Sequence, residues 1–378
     1  MSETIETPAV PAWALQRQET ANEPVSSTAA TKPMKRVGVQ LKRVKDLNAE
    51  DLVDVTCRII EFHPHLPIAA VSGNDQTIRL FHVDGEDNKL FQPPIFIEDY
   101  PIRCIKFFQK GRRLLIGGPK PYYYEYSLET NKVTRRAGIK TGTGRDTRAL
   151  ADHGHFIILN GNGSEREVRV AFHGGDSQVH IVNYKSNAVV KSLRVSFPVS
   201  DMETVPNYPG IITLAGEGGK VALVDIMSGR SRVQFSDSGN IGRAIVKWSI
   251  DGGWLAVGAQ DGVVNIYRAA DVLDKLKAKS RPSDSVKPTR SISRSLVDEI
   301  TGLAWGLVAG KNLLALHSKT RGGMRVFDVK RNSVVPNWPA GGNTNPCAVM
   351  RWSQHSPESV FLAAGMAKGS ALLWKVSV

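Results

Sequence analysis

Seven times along this chain, a short apolar run that reaches glycine is followed by a polar turn and a second run of alternating apolar residues. Residues 68–81 and 255–267 are the clearest copies, and the second run ends on an aromatic or aliphatic residue. Alternation with a period of two predicts strands, and Gly, Asn and Asp in the turn supply the positive φ of a tight hairpin. Each copy is therefore predicted to be a β-hairpin.

The spacing of the hairpins selects among all-β architectures. Their closing residues lie 42 to 60 residues apart: Phe81, Tyr126, Val182, Val224, Tyr267, Phe327 and Trp374. A further apolar segment, the expected innermost strand, precedes each hairpin; it is clearest at residues 58–62, 103–107, 244–248, 301–305 and 348–352, and weak at 152–160 and 202–205. Repeats of about forty residues are typical of propeller blades. The sequence predicts an all-β, seven-bladed WD40-type β-propeller.

The seventh blade lacks a fourth strand after its last hairpin, because that hairpin ends close to Val378. Residues 37–46 include an alternating stretch and are expected to close the ring, since an unpaired edge strand invites aggregation. The predicted propeller spans residues 37–378, with an insertion at about residues 269–297 that reads as a flexible basic loop between blades five and six.

Residues 1–36 form the second predicted region, a short disordered tail. Its first 31 residues are rich in Pro, Thr, Ala and Glu, a composition that buries too little apolar surface to fold alone. Trp13 and Leu15 are unusual in such a tail. They are either a short docking motif or a chance occurrence.

The positive charge of the chain is clustered. The formal net charge is +13, and residues 32–45 hold six basic side chains and no acid. Polyanions are the expected partners, through salt-dependent contacts with phosphates, although basic loops also serve solubility or nuclear import. The candidate contacts are Lys32, Lys35, Arg36, Lys42, Arg43, Lys45, Arg135, Arg136, Lys277, Lys279, Arg281, Arg290 and Arg294.

Signals for chemistry are weak. The nine histidines lack a matched carboxylate or nucleophile motif, and the three cysteines have neither zinc nor disulfide spacing. No catalytic residue, metal, cofactor or small-molecule substrate is predicted, and neither a membrane span nor a secretion signal is expected. Four residues are assigned structural roles in hairpin turns: Gly73, Asp75, Gly258 and Asp261.

Tyr122, Tyr124 and Tyr126 alternate with Tyr123 across one predicted strand. Such a cluster beside basic residues resembles a base-stacking platform. Alternation, however, places the three tyrosines on one face and Tyr123 on the other, so packing between blades is the favoured explanation.

Several segments of the chain carry a resemblance to one known family: residues 11–13, 41–48, 58–64, 72–85, 97–102, 261–267, 363–369 and 371–374. They resemble the U3 small nucleolar RNA-associated protein 18 family. Together they span most of the chain, and the resemblance covers about residues 37–378.

The resemblance implies a non-enzymatic scaffold of the small-subunit processome in the nucleus and nucleolus. The implied partners are other WD40 proteins of a processome subcomplex, the U3 small nucleolar ribonucleoprotein and pre-ribosomal RNA, in support of 18S rRNA maturation. The alternative is a substrate receptor of a ubiquitin ligase or a chromatin-reading propeller, because fold alone does not separate these functions.

Overall fold

The computed structural model describes the greater part of the chain. The described residues are 38–142, 148–159, 167–277, 286–293, 295–296, 298–339, 345–354 and 359–377.

Seven four-stranded antiparallel sheets make up the propeller, and in blades one to six the chain runs from the inner strand outwards. A short strand β1 (Gln40–Arg43) precedes blade one. Blade one consists of β2 (Cys57–Phe62), β3 (Ile68–Gly73), β4 (Thr77–His82) and β5 (Leu90–Phe96). Blade two consists of β6 (Cys104–Phe108), β7 (Arg113–Gly117), β8 (Tyr122–Ser127) and β9 (Lys132–Ala137). A two-stranded hairpin follows, made of β10 (Lys140–Thr141) and β11 (Arg148–Ala149).

The later blades repeat the same order. Blade three consists of β12 (Phe156–Leu159), β13 (Arg169–His173), β14 (Gln178–Asn183) and β15 (Ala188–Arg194). Blade four consists of β16 (Val199–Thr204), β17 (Ile211–Gly216), β18 (Lys220–Asp225) and β19 (Ser231–Ser236). Blade five consists of β20 (Ile245–Trp248), β21 (Trp254–Gly258), β22 (Val264–Arg268), the helix α1 (Ala269–Lys277) and β23 (Arg290–Ile292).

Blades six and seven end the ring. Blade six consists of β24 (Ile300–Val308), β25 (Lys311–Ser318), β26 (Met324–Asp328) and β27 (Ser333–Val334). Blade seven consists of β28 (Cys347–Trp352), β29 (Val360–Met366), β30 (Ala371–Ser377) and, from the other end of the chain, β1.

Apolar side chains on both faces of each sheet hold neighbouring blades together. Every inner strand contacts the inner strands of the next and preceding blades, and β2 of blade one meets β28 of blade seven. One buried cluster, for example, joins Ile78 of blade one to Ile116 of blade two. All seven closing residues of the sequence repeat lie on the third strand of their blades. The predicted seven-bladed propeller is confirmed.

Strand β1 supplies the outer strand of blade seven. It pairs antiparallel with β30, so that Gln40 lies opposite Ser377 and Arg43 opposite Trp374. Leu41 is half-buried against the apolar cluster of blades six and seven. The two ends of the propeller are thereby joined within one sheet, and the edge of β30 is covered.

The basic insertion differs from its prediction. Instead of a loop between blades five and six, its first nine residues form helix α1, and β23 completes blade five after it. Ala269 and Val272 of the helix are buried against blade five and the outer strand of blade four. No helix in the described part of the chain is long and apolar enough to cross a membrane.

The glycines assigned to hairpin turns are needed for close packing instead. A Cβ atom on Gly73 would lie 2.1 Å from Cγ1 of Val53, and one on Gly258 would lie 3.0 Å from Cγ2 of Ile300. The positive φ angles fall on Gln76 (58°) and Gly262 (84°), which come later in the same turns. The turns are thus where the sequence predicts them, but Gly73 lies against the segment that leads into blade one, and Gly258 of blade five lies against blade six.

The two turn aspartates have different partners. The side chain of Asp75 is 8% exposed and pairs with the guanidinium of Arg79, which is also held by Asp51 at 2.8 Å. Asp261 accepts a hydrogen bond from the backbone N–H of Val263 at 3.1 Å. Backbone capping, as expected from the sequence, is thus seen at Asp261, whereas the carboxylate of Asp75 takes part in an ion pair.

Candidate nucleic-acid interface

Arg135 and Arg136 lie on β9, the outer strand of blade two. The exposed Arg135 has its guanidinium carbon 3.7 Å from the ring centroid of Tyr122. Arg136 lies over the ring of Tyr184 in blade three, at 4.9 Å, and donates a hydrogen bond to the Tyr184 carbonyl oxygen. Arg136 therefore links two blades, while Arg135 presents a cation at the surface, orientated by an aromatic ring.

Three further candidates belong to β1 and the residues after it. Arg43 pairs with Asp46 and lies 5.0 Å from the ring centroid of Trp374. Lys45 is 3.8 Å from Asp87 and exposed, and Lys42 is exposed. Two of these three cations already have a carboxylate partner, which reduces what they add to a phosphate site.

The insertion in blade five contributes one partly buried cation. Arg290 on β23 lies 5.5 Å from the ring centroid of Trp254. Lys277 is the last residue of α1. The other predicted site residues lie outside the described residues: Trp13, Leu15, Lys32, Lys35, Arg36, Lys279, Arg281 and Arg294.

The fold does not bring the described candidates to one place. They lie on or near the outer strands of blades two, five and seven, which are separated around the ring. Blades two and three, by contrast, meet closely at their outer edges. The Asn187 side-chain amide donates to the carbonyl oxygen of Ala137 at 2.8 Å and accepts from the Tyr123 hydroxyl at 2.8 Å.

Exposed cations lie on the elements around this junction, and four of the six belong to a basic cluster of the sequence at residues 132–148. We call them the blade two–three rim: Lys132, Arg135, Lys140, Arg148, Lys185 and Arg194. None of the six forms an ion pair with another described residue, and neither β9 nor β15 contains an acid. The rim is thus a basic surface on two neighbouring blades. Lys185 and Arg194 were missed because blade three carries the repeat weakly in the sequence.

The tyrosines of β8 pack between blades, as alternation indicates. Tyr122, Tyr124 and Tyr126 face the cluster shared with blade one, where the Tyr100 and Tyr124 ring centroids are 4.8 Å apart. Tyr123 is buried on the opposite face, towards blade three. The ring of Tyr122 accordingly packs against Arg135 and the ring of Tyr100.

The central channel holds a second group of charges, which sequence reasoning did not identify. Lys106 lies 3.0 Å from Glu61, and Arg351 lies 3.8 Å from the same carboxylate. Lys247 lies 3.2 Å from Asp201 and 2.7 Å from Glu203. These residues line a channel cavity of about 500 Å³.

Opposite charges in the channel stabilise one another. Burial alone would raise the pKa of the Asp201 carboxyl, but the charge of Lys247 and a hydrogen bond with His155 hold that pKa well below its usual range. Burial likewise opposes the charged form of Lys247, and the two carboxylates raise the Lys247 pKa above its ordinary value. Both groups are therefore ionised at neutral pH, and the pair holds blades four and five together at the axis.

Titratable groups elsewhere are buried in the fold or take part in its hydrogen bonds. The His153 ring is buried; its Nδ1 donates to the Lys120 carbonyl at 2.8 Å, so its Nε2 accepts from the Ile139 N–H at 3.2 Å. Burial raises the pKa of the Cys57 and Cys347 thiols to about 12. Among the described residues, no group of three or more His, Cys, Asp or Glu side chains is placed to hold a metal ion.

Comparison with known proteins agrees with this architecture. The WD domain, G-beta repeat family (WD40) matches residues 233–268, which cover most of β19 and the first three strands of blade five. The chain is similar to the U3 small nucleolar RNA-associated protein 18 homologues of Mus musculus, with 26% identity over 343 residues, and of Arabidopsis thaliana, with 23% over 338 residues. Both alignments cover 89% of this chain.

The protein named U3 small nucleolar RNA-associated protein 18 in Saccharomyces cerevisiae is 22% identical over 375 residues, or 90% of this chain. The resemblance to the U3 small nucleolar RNA-associated protein 18 family is confirmed. The chain spans 57% of the length of the mouse and plant members of this family and 61% of the yeast member. The similarity thus extends across the propeller and not only across the matched WD40 repeat.

Proposed function

We propose that this chain is a non-catalytic propeller of the small-subunit processome that supports U3-dependent processing of pre-ribosomal RNA. The observation that carries the proposal is the similarity, over 89% of the chain, to relatives named for their association with U3 small nucleolar RNA. The proposed location is the nucleolus. The proposed partners are the U3 ribonucleoprotein, pre-ribosomal RNA and other WD40 proteins of the processome.

The blade two–three rim is the surface that we propose contacts RNA phosphates. Its exposed cations are not neutralised by described carboxylates, so they can release counterions on meeting a phosphate backbone. Lys132, Arg135 and Lys140 follow one another along β9 and β10, and β10 contacts β15 of blade three. A row of cations of this kind follows a nucleic-acid backbone without reading its sequence.

Affinity purification of the tagged full chain from cells, with identification of co-purifying RNA and proteins at moderate salt, tests the cellular assignment. Recovery of U3 RNA, pre-ribosomal RNA and other processome propellers is the expected result. Recovery of ubiquitin-ligase subunits or histones without these RNAs would refute it.

A purified system tests the rim itself. Charge reversal in the triple variant Lys132→Glu, Arg135→Glu and Lys140→Glu should weaken binding to a single-stranded RNA by about tenfold or more, and should lower the slope of log affinity against log salt by about 2. The matched control reverses three exposed cations on other blades, namely Arg230→Glu, Lys330→Glu and Lys368→Glu. Equal losses in the two variants would show that net charge, and not the rim, determines binding.

A further inference from the structure

The channel opens, where the inner strands begin, into a second cavity of about 430 Å³. We call this cavity the channel mouth. Its lining is rich in charge and dominated by cations. Blade five contributes Arg243 and Lys247, and blade six contributes Lys319. Arg351 comes from blade seven and Arg58 from blade one. Only two carboxylates of described residues, Asp201 and Glu299, line the same space.

A repeated backbone irregularity helps to build the mouth. The register of the inner strand shifts between Cys57 and Ile59 in blade one, so that Arg58 is the extra residue of a β-bulge. The same shift occurs at Ser200, Thr301 and Ala348 of blades four, six and seven, and all four extra residues line the cavity. Bulges change the direction of a side chain and are common beside binding sites.

Two of the mouth cations lie close to carboxylates of the channel, and three do not. Lys247 is paired with Asp201 and Glu203, and Arg351 lies 3.8 Å from Glu61. Arg58, Arg243 and Lys319 are exposed, and none of them forms an ion pair with another described residue. The mouth therefore carries positive charge in excess of what its own carboxylates neutralise.

The effect of this positive charge extends to the neighbouring His317. That side chain is 2% exposed, and burial together with the charge of Arg351 lowers the pKa of His317 to about 3. Because His317 also lines the mouth, the site remains cationic through Arg and Lys side chains while its imidazole stays neutral.

We propose that the channel mouth binds an acidic segment of a partner protein, with Arg58, Arg243 and Lys319 donating hydrogen bonds to its carboxylates. The cations converge from four blades on one open cavity, whose apolar lining includes Ile245, Ile300 and Leu303. An acidic peptide fits such a space, because its carboxylates can accept hydrogen bonds from the cations while the aliphatic parts of its side chains contact the apolar lining. RNA, by contrast, needs a groove of cations that follows its backbone, as the rim provides. The inference is independent of the RNA-binding role proposed for the rim.

Fluorescence anisotropy with a labelled oligoglutamate peptide tests the proposal, using a labelled oligouridylate RNA as the competing class of anion. The double variant Arg243→Gln and Lys319→Gln should bind the peptide about tenfold more weakly than the wild type, a loss of about 1.4 kcal/mol. The matched control removes the same charge from the rim, as Lys132→Gln and Arg135→Gln, and should retain peptide affinity within about twofold. Arg58→Gln provides an independent second variant on another blade.

The outcomes separate the two sites. Loss of peptide binding only in the mouth variants supports the inference, whether or not the rim variant loses RNA. Peptide binding that is absent in the wild type, or equal in wild type and mouth variants of unchanged thermal stability, would overturn it. A mouth variant that loses RNA and retains the peptide would also overturn it, because the site would then bind RNA.

Discussion

The Tyr267 hydroxyl of blade five donates a hydrogen bond to Oδ1 of Asp237, which lies in the connection from blade four. The side-chain amide of Asn265 donates to the same oxygen at 2.9 Å. Both the tyrosine and the aspartate are buried. Two donors from one strand thus hold a buried carboxylate of the preceding connection, which fixes the junction between the two blades.

Removal of the hydroxyl should weaken this junction. Tyr267→Phe is expected to lower the free energy of unfolding by about 1 to 3 kcal/mol, because a buried acceptor loses one of its donors. Urea denaturation followed by tryptophan fluorescence measures the change. Tyr208→Phe is the control, since its hydroxyl bonds to no other described residue, and it should change stability by less than about 0.5 kcal/mol. Similar values for the two variants would show that the Asp237 contact adds nothing.

Protonation of His317 should make the propeller acid-sensitive. Its folded-state pKa, lowered to about 3, lies below the unfolded value of about 6.5, so the unfolded chain binds more protons between these pH values. Stability should fall as pH decreases from about 6.5 towards 3, by at most about 1.4 kcal/mol per pH unit from this group. Denaturation midpoints across this range measure the slope.

A variant at the same position tests the assignment. His317→Gln cannot take up the proton, so its stability should depend less steeply on pH, even if it is less stable at pH 7. The exposed His65→Gln should keep the wild-type slope. An unchanged slope in His317→Gln would assign the acid sensitivity to other groups.

Gly73 tests the packing of blade one against the segment that leads into it. Gly73→Ala should destabilise the fold by about 2 kcal/mol or more, because the new methyl group would lie 2.3 Å from the Thr56 carbonyl oxygen as well as against Val53. Gly210→Ala is the matched control, since a Cβ atom on Gly210 would have no neighbour within 4 Å, and it should be neutral or slightly stabilising. Equal effects on thermal unfolding would show that the backbone near Gly73 relaxes.

Ring closure through β1 can be tested by two truncations. Removal of residues 1–43 deletes β1 and exposes the edge of β30, so it should lower the unfolding temperature and promote association in light scattering. Removal of residues 1–37 leaves β1 intact and is the control. If the two truncated chains melted at the same temperature and stayed monomeric, β1 would contribute little to the stability of the propeller.

Alternation, turn residues and spacing were sufficient to predict the blades, because every blade repeats a hairpin of two short strands joined by a polar turn. The closing residues from Phe81 to Trp374 all fall on third strands for this reason. Helix α1 was missed because the Ser, Pro and Lys content of the whole insertion obscured its apolar Val272, Leu273 and Leu276, which lie on one helical face.

The channel network escaped prediction because its members are far apart in sequence and each alone resembles a surface charge. A signal was present: Glu61, Lys106, Lys247 and Arg351 each come directly before the aromatic residue that ends an inner-strand segment. Alternation turns that aromatic residue and its predecessor in opposite directions. Repeats aligned on the inner strand therefore reveal the channel charges.

Completion of blade seven by β1 has a consequence for folding during synthesis. During synthesis β1 leaves the ribosome more than 300 residues before its partner β30. At about 5 to 20 residues per second, this strand waits roughly 15 to 70 s before it can pair. Throughout that interval the growing ring exposes the inner strand of blade one, which later packs on β28. A nascent chain of this design therefore needs protection from association until its last blade is made.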